Sequence, residues 1–248
     1  MNARSQLTTP QIVDAGSLDD ALRQQMFDLY ERYYASTSRS RFETDLADKD
    51  RVLLLRDEAG ALQGFSTLAV YQRMFGGRAI RVIFSGDTVV DERHWGQQAL
   101  ALSWLRLAGE IKMEQPDTPL YWLLISKGHR TYRYLSAFSR EFYPSPDHAT
   151  PPQARALMDY LAQDRFGSAY DAADGVLRFP QSLGHLRESY AQIPEQHLRL
   201  PAVEFFLKRN PGYAQGDELV CLCELSAGNL QPIARRAFAE SAAVKVFS

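Results

Sequence analysis

Residues 52–71, VLLLRDEAGALQGFSTLAVY, decide the fold of this chain. Two apolar runs flank the polar turn Asp57–Gly60, and the glycine that ends this turn can take the positive φ that tight turns often need. A second turn, at residues 75–77, leads into Ala79–Val90, a long stretch in which apolar residues recur at alternate positions. Apolar runs separated by tight turns predict an antiparallel meander of three strands.

Helical and strand patterns continue on both sides of this meander. Before it, the spacing of apolar residues predicts an amphipathic helix over Leu18–Tyr34. After it, apolar residues at every third or fourth position over 100–111 predict a helix, Leu120–Ile125 a buried strand, and Thr131–Phe142 another helix. The order is helix, meander, helix, strand, helix, which is an α+β layout with one βαβ crossover.

The sequence after residue 143 is less regular. Four prolines lie between Pro144 and Pro152 and mark a loop or a boundary. Gly216–Leu225 contains a nearly continuous apolar run that predicts a strand. Between them, the pattern predicts three helices and a short strand, at Pro152–Gln163, Leu183–Gln192, Pro201–Arg209 and Gly175–Phe179 respectively.

The composition restricts the class of protein. Of 248 residues, 45% are hydrophobic and 23% are charged, which excludes disorder of the whole chain. The formal net charge of −2 provides no basic excess for nucleic-acid binding. No apolar run reaches the ~20 residues that cross a bilayer, and Met1–Asp14 lacks the apolar core of a signal peptide. We therefore expect a cytoplasmic protein without a membrane span or a nucleic-acid partner.

The two cysteines, Cys221 and Cys223, are one residue apart in an apolar run. In a strand they share a face but are too constrained to form an ordinary disulfide with each other, so we expect two buried thiols. No group of histidines and cysteines has the spacing of a structural zinc site. The sequence therefore predicts no bound metal.

From Leu18 to Tyr143, the order of elements resembles the GNAT superfamily, the acyl-CoA-dependent N-acyltransferases. Residues 52–71 look like its second and third strands, and residues 89–100, VVDERHWGQQAL, look like the end of its fourth strand and the following cofactor loop. The resemblance implies an α+β fold with a mixed, mainly antiparallel sheet flanked by helices, whose central strands splay apart. It implies a single GNAT-like domain over residues 1–248, with a core at about 18–143 and a C-terminal elaboration at about 144–248.

The loop at residues 89–100 has features of an anion-binding site. A strand that ends in a glycine-containing turn and begins a helix leaves backbone N–H groups unpaired, and with the helix dipole they form an anion site suited to a pyrophosphate. The family pattern there is Arg or Gln, two residues, Gly, one residue, then Gly or Ala; Arg93 and Gly96 match it, and Gln98 departs from it. The cofactor-binding residues implied by the resemblance are Thr88, Val89, Val90, Arg93, His94, Trp95, Gly96, Gln97 and Gln98.

Gln98 leaves three alternatives open, because a long side chain can crowd a pyrophosphate. The loop shifts and still binds coenzyme A; the donor is instead the phosphopantetheine of an acyl carrier protein; or cofactor binding is lost and the fold is reused. The basic run Lys127–Arg133 fits the phosphates of coenzyme A, an acidic carrier protein, or a solvated helix face.

Amide formation from a thioester needs one group that deprotonates the amine and another that protonates the leaving thiolate. By resemblance to the family, the helix after the fifth strand supplies the acid from Tyr134, with Tyr132 as second choice. Asp87 is the best ionisable candidate for the base, next to Gly86, whose position within a strand indicates a bulge or a close backbone approach. The alternatives are that the tyrosines only pack and that Asp87 caps or pairs structurally.

These features indicate an acyltransferase that moves an acyl group from a thioester donor, acyl-CoA or an acyl carrier protein, to an amine of a small molecule. The alternative is a non-catalytic GNAT-like binding or regulatory domain. We expect Pro144–Gly216 to cover the acceptor cleft, and Glu218–Leu225 to complete the sheet beside Leu120–Ile125. His94 and His129 are further candidates for proton transfer.

Overall fold

The computed structural model describes residues 6–179 and 184–244. The strands are β1 (Gln11–Asp14), β2 (Tyr34–Ala35), β3 (Arg51–Arg56), β4 (Leu62–Phe75), β5 (Arg78–Val90), β6 (Leu120–Ser126), β7 (Tyr170–Asp171), β8 (Val176–Leu177), β9 (His185–Leu186) and β10 (Glu218–Glu224). The helices are α1 (Asp20–Tyr33), α2 (Arg39–Ala47), α3 (Ala99–Glu114), α4 (His129–Phe138), α5 (Pro152–Phe166), α6 (Glu188–Ala191), α7 (Glu195–Leu198), α8 (Pro201–Arg209) and α9 (Pro232–Val244).

Within the described residues, the main sheet has the strand order β1-β3-β4-β5-β6-β10-β8-β7. All neighbours are antiparallel except β5 and β6, which are parallel because α3 crosses over between them. The pairing of β5 with β6 runs from Arg81 opposite Leu120 to Ser85 opposite Leu124 and ends there, although β5 continues to Val90. The two central strands therefore splay apart, as the resemblance implies.

Helices cover both faces of this sheet. On one face, α3, α4, α8 and α9 share an apolar core in which Trp104 and Trp122 pack with their ring centroids 4.5 Å apart. On the other face, α1 and α2 bury residues such as Met26 and Phe42 against the first strands, and α5 buries Leu161 against β5 and β10. This α+β arrangement, mainly antiparallel and flanked by helices, confirms the fold class expected from the sequence.

The C-terminal strand lies where it was predicted. β10 pairs antiparallel with β6, so that Cys221 is opposite Leu124 and Cys223 is opposite Trp122. Both thiols are free and buried. The sheet thus joins strands from the predicted core at residues 18–143 with strands from the elaboration that follows it.

Some predicted elements are wrong or were missed. The helix predicted over Leu183–Gln192 is wrong: residue 183 lies outside the described residues, β9 precedes α6, and α6 is a single turn. The helix predicted to reach Phe142 ends at Phe138, because Ser139 takes an extended backbone and bridges to Leu230. The edge strand β1 and the terminal helix α9 are not predicted from the sequence.

Two further properties hold for the described ranges 6–179 and 184–244. No helix there is long and apolar enough to span a membrane. No group of three or more His, Cys, Asp or Glu side chains is arranged to hold a metal ion.

Candidate active site

A long cleft begins where β5 and β6 separate. Its volume is about 1300 Å³. Residues Gly86–Val90 of β5, which pair with β4 but not with β6, form one wall. Ile125 and Lys127 at the end of β6 form the opposite wall. The first turn of α3 and the exposed face of α4 close one end of the cleft, and side chains from α1, α2 and α5 line the other end.

A β-bulge shapes the β5 wall. Ser66 is opposite Thr88 and Leu68 is opposite Ser85, so Thr67 alone faces both Gly86 and Asp87. A Cβ atom on Gly86 would overlap the Cε atom of Lys49 and the Oγ1 atom of Thr67. The prediction that Gly86 marks a bulge and a close approach is therefore confirmed.

We expect Gly86→Ala to destabilise the protein by about 1–3 kcal/mol, the usual cost of overpacking a filled interior. The added methyl group displaces the Lys49 side chain, which is completely buried. The free energy of unfolding in urea measures the effect, with Gly16→Ala as control, because a Cβ at Gly16 has nothing within 4 Å. Equal stabilities of the two variants would contradict this close packing around Gly86.

Asp87 lies in this wall among other charged groups. Lys49 Nζ is 2.9 Å from Oδ1 of Asp45, and Lys127 Nζ is 3.3 Å from Oε1 of Glu218. Within residues 6–179 and 184–244, Asp87 itself has no cation at ion-pair distance. Burial and then the negative charge of Asp45 raise the pKa of Asp87 from 3.8 to about 7, against the opposing effect of the two lysines. A carboxyl group with this pKa can accept a proton near neutral pH.

Two tyrosines of the α1–β2 region face the same cleft. The rings of Tyr30 and Tyr34 stack with centroids 4.4 Å apart. Burial, reinforced by the negative charge of Asp87, raises the pKa of both phenols. They are therefore neutral hydrogen-bonding groups and not bases.

The two candidate acids on α4 point to different places. Tyr134 lines the cleft, is 37% exposed and packs against Phe138 with ring centroids 5.4 Å apart. Burial of the phenol raises the pKa of Tyr134, so it carries its proton at neutral pH. Tyr132 is fully buried and its hydroxyl donates to the carbonyl of Pro144 at 2.9 Å. Of the two, Tyr134 has access to a bound substrate.

The loop between β5 and α3 brings a helix N-terminus to the cleft. Gly96 has a φ of +87°, a conformation that glycine takes without strain. Gln98 precedes the helix with an exposed side chain, and this side chain does not cap the first turn of α3. Residues 96–102 all line the cleft. The free N–H groups of the first turn, together with the helix dipole, fit an anion at this end.

Arg93 does not face this anion site. Its Nε donates to Oδ1 of Asp91 at 2.8 Å and its Nη2 donates to Oε1 of Gln63 at 3.0 Å, and it lies outside the cleft lining. The resemblance implies that Arg93 adds a charge there, whereas in this structure the buried carboxylate of Asp91 holds the guanidinium. The arginines that line the cleft at this end are Arg130 and Arg133, both in the basic run of the sequence.

The other loop residues fix the loop to the strand. The Trp95 indole donates to the carbonyl of Val90 at 2.8 Å, and the guanidinium of Arg130 lies 4.0 Å from the centroid of the Trp95 ring. His94 is buried, with Nδ1 3.4 Å from the side-chain Nε2 of Gln97. Both therefore have structural contacts, although both also line the cleft. The strand residues Thr88, Val89 and Val90 lie in the wall as the resemblance implies.

The C-terminal part forms a roof over the cleft. β9 pairs with β2, which places Leu186 opposite Tyr34. The ring of Tyr190 packs against Tyr33 and Trp95, with centroids 4.7 and 5.8 Å apart. The described part of Pro144–Gly216 therefore contacts the cleft, as expected. Among its aromatic residues, Phe166, Phe179 and Tyr190 line the cleft, whereas Tyr170 and Phe206 are buried in the core.

His129 is a poor candidate for proton transfer. Burial and nearby Arg130 lower the pKa of His129 from 6.5 to about 4. Its ring lies 5.7 Å from that of His197, a residue of the C-terminal roof that sequence reasoning did not single out. His129 is therefore neutral at physiological pH.

The chain was compared with protein families, curated proteins and solved structures. No protein-family profile and no curated protein matches the chain. The chain is similar to several solved structures. A probable N-acyltransferase from Enterococcus faecalis matches at 16% identity and a TM-score of 0.39, over 54% of this chain and 33% of that one. An acyl-CoA N-acyltransferase from Pseudomonas aeruginosa matches at 15% identity and a TM-score of 0.39, over 53% of this chain and 88% of that one. A GNAT family N-acetyltransferase from Escherichia coli, in complex with CoA, matches at 16% identity and a TM-score of 0.36, over 52% of this chain and 68% of that one.

These likenesses are low in identity and cover about half of this chain, and they span a third of the Enterococcus protein. The sheet order, the βαβ crossover and the splayed pair β5 and β6 match the fold that the sequence resemblance implies.

Proposed function

We propose that this protein is an acyltransferase that moves an acyl group from acyl-CoA to the amine of a small molecule. The observation that carries the proposal is the continuous cleft between β5 and β6. It joins an uncapped helix N-terminus, suited to a pyrophosphate, to a buried carboxyl group with a pKa near neutrality.

The donor fits the cleft from the α3 end. Backbone groups of Thr88–Val90 line the gap and are suited to hydrogen bonds with the amides of a pantetheine arm. The first turn of α3 receives the pyrophosphate, and Arg130 and Arg133 add positive charge beside it. The exposed side chain of Gln98 makes no cap hydrogen bond, so it leaves the backbone N–H groups of the first turn to the phosphates.

Two residues move protons in the proposed reaction. Asp87 accepts one proton from the incoming ammonium and releases it to solvent. As the carbon–nitrogen bond forms and the carbon–sulfur bond breaks, Tyr134 gives its phenolic proton to the sulfur and recovers one from the nitrogen. The nitrogen thus loses two protons in all, and the products are an amide, a free thiol and one released proton.

The first test is whether the chain binds and cleaves a thioester. Isothermal titration with coenzyme A and acetyl-CoA reports binding, and a thiol reagent reports release of free coenzyme A in the presence of a mixture of amines. Ligand at 100 times its dissociation constant adds about 2.7 kcal/mol to the free energy of unfolding, which gives an independent readout. If the chain binds an acylated carrier protein and not coenzyme A, the donor is the carrier protein and not acyl-CoA. Binding of neither would favour the non-catalytic alternative.

The structure predicts which arginines matter for the donor. We expect Arg133→Ala to weaken coenzyme A binding about 3- to 10-fold, more at low salt, because an exposed charge is removed beside the phosphates. Arg93→Ala should change the affinity little, because this guanidinium is held by Asp91. Gln98→Gly should keep or improve binding. Arg140, exposed just beyond α4 and outside the cleft lining, is the matched control. A large loss in Arg93→Ala with none in Arg133→Ala would contradict this assignment.

A further inference from the structure

The half of the cleft beyond Asp87, opposite the α3 end, is called here the acceptor arm. Its lining combines aromatic side chains with charged ones, among them Tyr30, Tyr34, Phe84, Phe166, Arg73 and Arg165. We propose that the acceptor in this arm is a primary amine with a single positive charge on an aromatic or branched apolar body. This inference rests on the proposed acyltransferase function and names its substrate class.

The cations around the arm are already occupied. Arg73 Nε is 2.7 Å from Oδ2 of Asp164, and Arg165 forms an ion pair with Asp48. Deeper in the wall, Lys49 and Lys127 are held by Asp45 and Glu218, as described above. An acceptor with a phosphate or carboxylate group would have to displace a carboxylate from one of these pairs, which disfavours acidic acceptors and sugar phosphates.

The carboxylates are matched in the same way, with one exception. Asp45, Asp48, Asp164 and Glu218 each face a cation of the arm. Asp87 is the carboxylate that lacks one in the described part of the chain. A single ammonium group can therefore pair with Asp87. A polyamine would bring two or more charges into a site with one unmatched carboxylate, and burying an unpaired charge is costly.

The walls of the arm suit an apolar body behind that ammonium. Phe166 and Phe179 are half-buried and line the arm. Phe166 packs against Phe84 with ring centroids 5.7 Å apart, and Phe84 itself is almost fully buried, with the guanidinium of Arg165 3.9 Å from its ring centroid. Across the arm lies the stacked pair Tyr30 and Tyr34. Aromatic faces attract both a cation and a flat apolar group, so the arm has a polar point at Asp87 and apolar sides.

An acceptor panel tests this inference with the wild-type protein and acetyl-CoA. The acceptors are 2-phenylethylamine, isoamylamine, spermidine and glucosamine 6-phosphate. We expect kcat/KM for the two apolar monoamines to exceed that for spermidine or the sugar phosphate at least 10-fold. Higher kcat/KM for spermidine or the sugar phosphate overturns the inference and leaves the proposed function standing, because thioester cleavage has then been observed.

Two variants separate the charge argument from the apolar one. Arg73→Gln leaves Asp164 without its cation, so we expect the ratio of kcat/KM for spermidine to that for 2-phenylethylamine to rise about 3- to 5-fold. Phe166→Ala should lower kcat/KM for 2-phenylethylamine about 10-fold relative to isoamylamine. Phe75→Ala is the control, because Phe75 is a half-buried aromatic residue outside the cleft lining. Unchanged ratios in both test variants would overturn the assignment of the acceptor arm.

The amines can also be tested without turnover. Titration of 2-phenylethylamine into the protein at pH 8 should give binding that Asp87→Asn weakens at least 10-fold. If the protein neither binds nor cleaves acyl-CoA, the proposed function fails, and this titration still decides the inference about the arm. Equal binding of the amine to both forms of the protein would show that Asp87 is not its partner.

Discussion

Asp87→Asn is expected to lower kcat/KM by about 10²- to 10⁴-fold, the range for removing a general base. Asparagine has nearly the shape of aspartate, so the bulge and its neighbours are retained. It cannot accept a proton from the ammonium, and it leaves the charge of the substrate unmatched. Steady-state kinetics with acetyl-CoA and 2-phenylethylamine measures the loss.

The pH dependence gives the same prediction a second readout. Because the pKa of Asp87 is about 7 in the folded protein, kcat/KM in the wild type should rise about tenfold per pH unit below pH 7 and level off above it. In Asp87→Asn this rise should be absent. Asp117→Asn, at an exposed turn between α3 and β6, should keep the wild-type profile. A wild-type profile that is flat between pH 5 and 8 would remove Asp87 from the role of base.

Asp87→Asn should lower activity but raise the free energy of unfolding at pH 8. The pKa of Asp87 is raised on folding, from 3.8 to about 7, so its protonated form is favoured in the folded state. The stabilisation from the protonated carboxyl group is fully present below about pH 4 and is lost as the pH rises through about 7. At pH 8, Asp87→Asn should therefore be more stable than the wild type, by on the order of 2–4 kcal/mol. Urea unfolding at pH 5 and pH 8 measures the difference, and a variant that is less stable at pH 8 would contradict it.

Tyr134→Phe is the second substitution with a large expected effect. It removes the phenolic proton that reaches the sulfur, so kcat should fall about 10²- to 10³-fold, the usual share of a general acid. KM for acetyl-CoA should change little, because the ring still packs against Phe138. Thioesters with different leaving thiols give a further check. When the thiol is more acidic, its thiolate leaves without a proton more easily, so Tyr134→Phe should lower kcat less.

Tyr132→Phe is the matched control on the same helix. Its hydroxyl is committed to the carbonyl of Pro144, in the interior and away from the cleft. We expect this variant to keep its kcat and to lose about 1 kcal/mol of stability from one buried hydrogen bond. If Tyr132→Phe lost activity and Tyr134→Phe did not, the two tyrosines would have been assigned the wrong way round.

Much of the fold is predictable because its signals are local. The meander of β3, β4 and β5 follows from apolar runs and glycine turns, and the crossover helix follows from a repeat of three to four residues. The bulge beside Asp87 is also readable, since glycine weakens a strand interior and occurs there mainly at bulges, bends and close backbone contacts. These patterns need only neighbouring residues in the sequence.

The electrostatic surroundings of the site are set by contacts between distant residues, and no local pattern contains them. Lys49 and Glu218 shape the pKa of Asp87 from 38 positions before it and 131 positions after it. Arg93 matches a family pattern, yet its guanidinium is held by Gln63 from a neighbouring strand. The pairing of β9 with β2 likewise joins segments separated by 150 residues, which no periodicity reveals.

The position of β10 has a consequence for the order in which the chain becomes functional during synthesis. Until β10 is made, β6 is the last strand of the sheet, with one row of its backbone groups unpaired, and Lys127 lacks the carboxylate of Glu218. A nascent chain that has emerged only as far as residue 143 can form the meander and the crossover. Its cleft still lacks the roof, and Lys127 still lacks its ion pair with Glu218. The cleft is therefore complete only late in synthesis, when β10 is inserted beside β6.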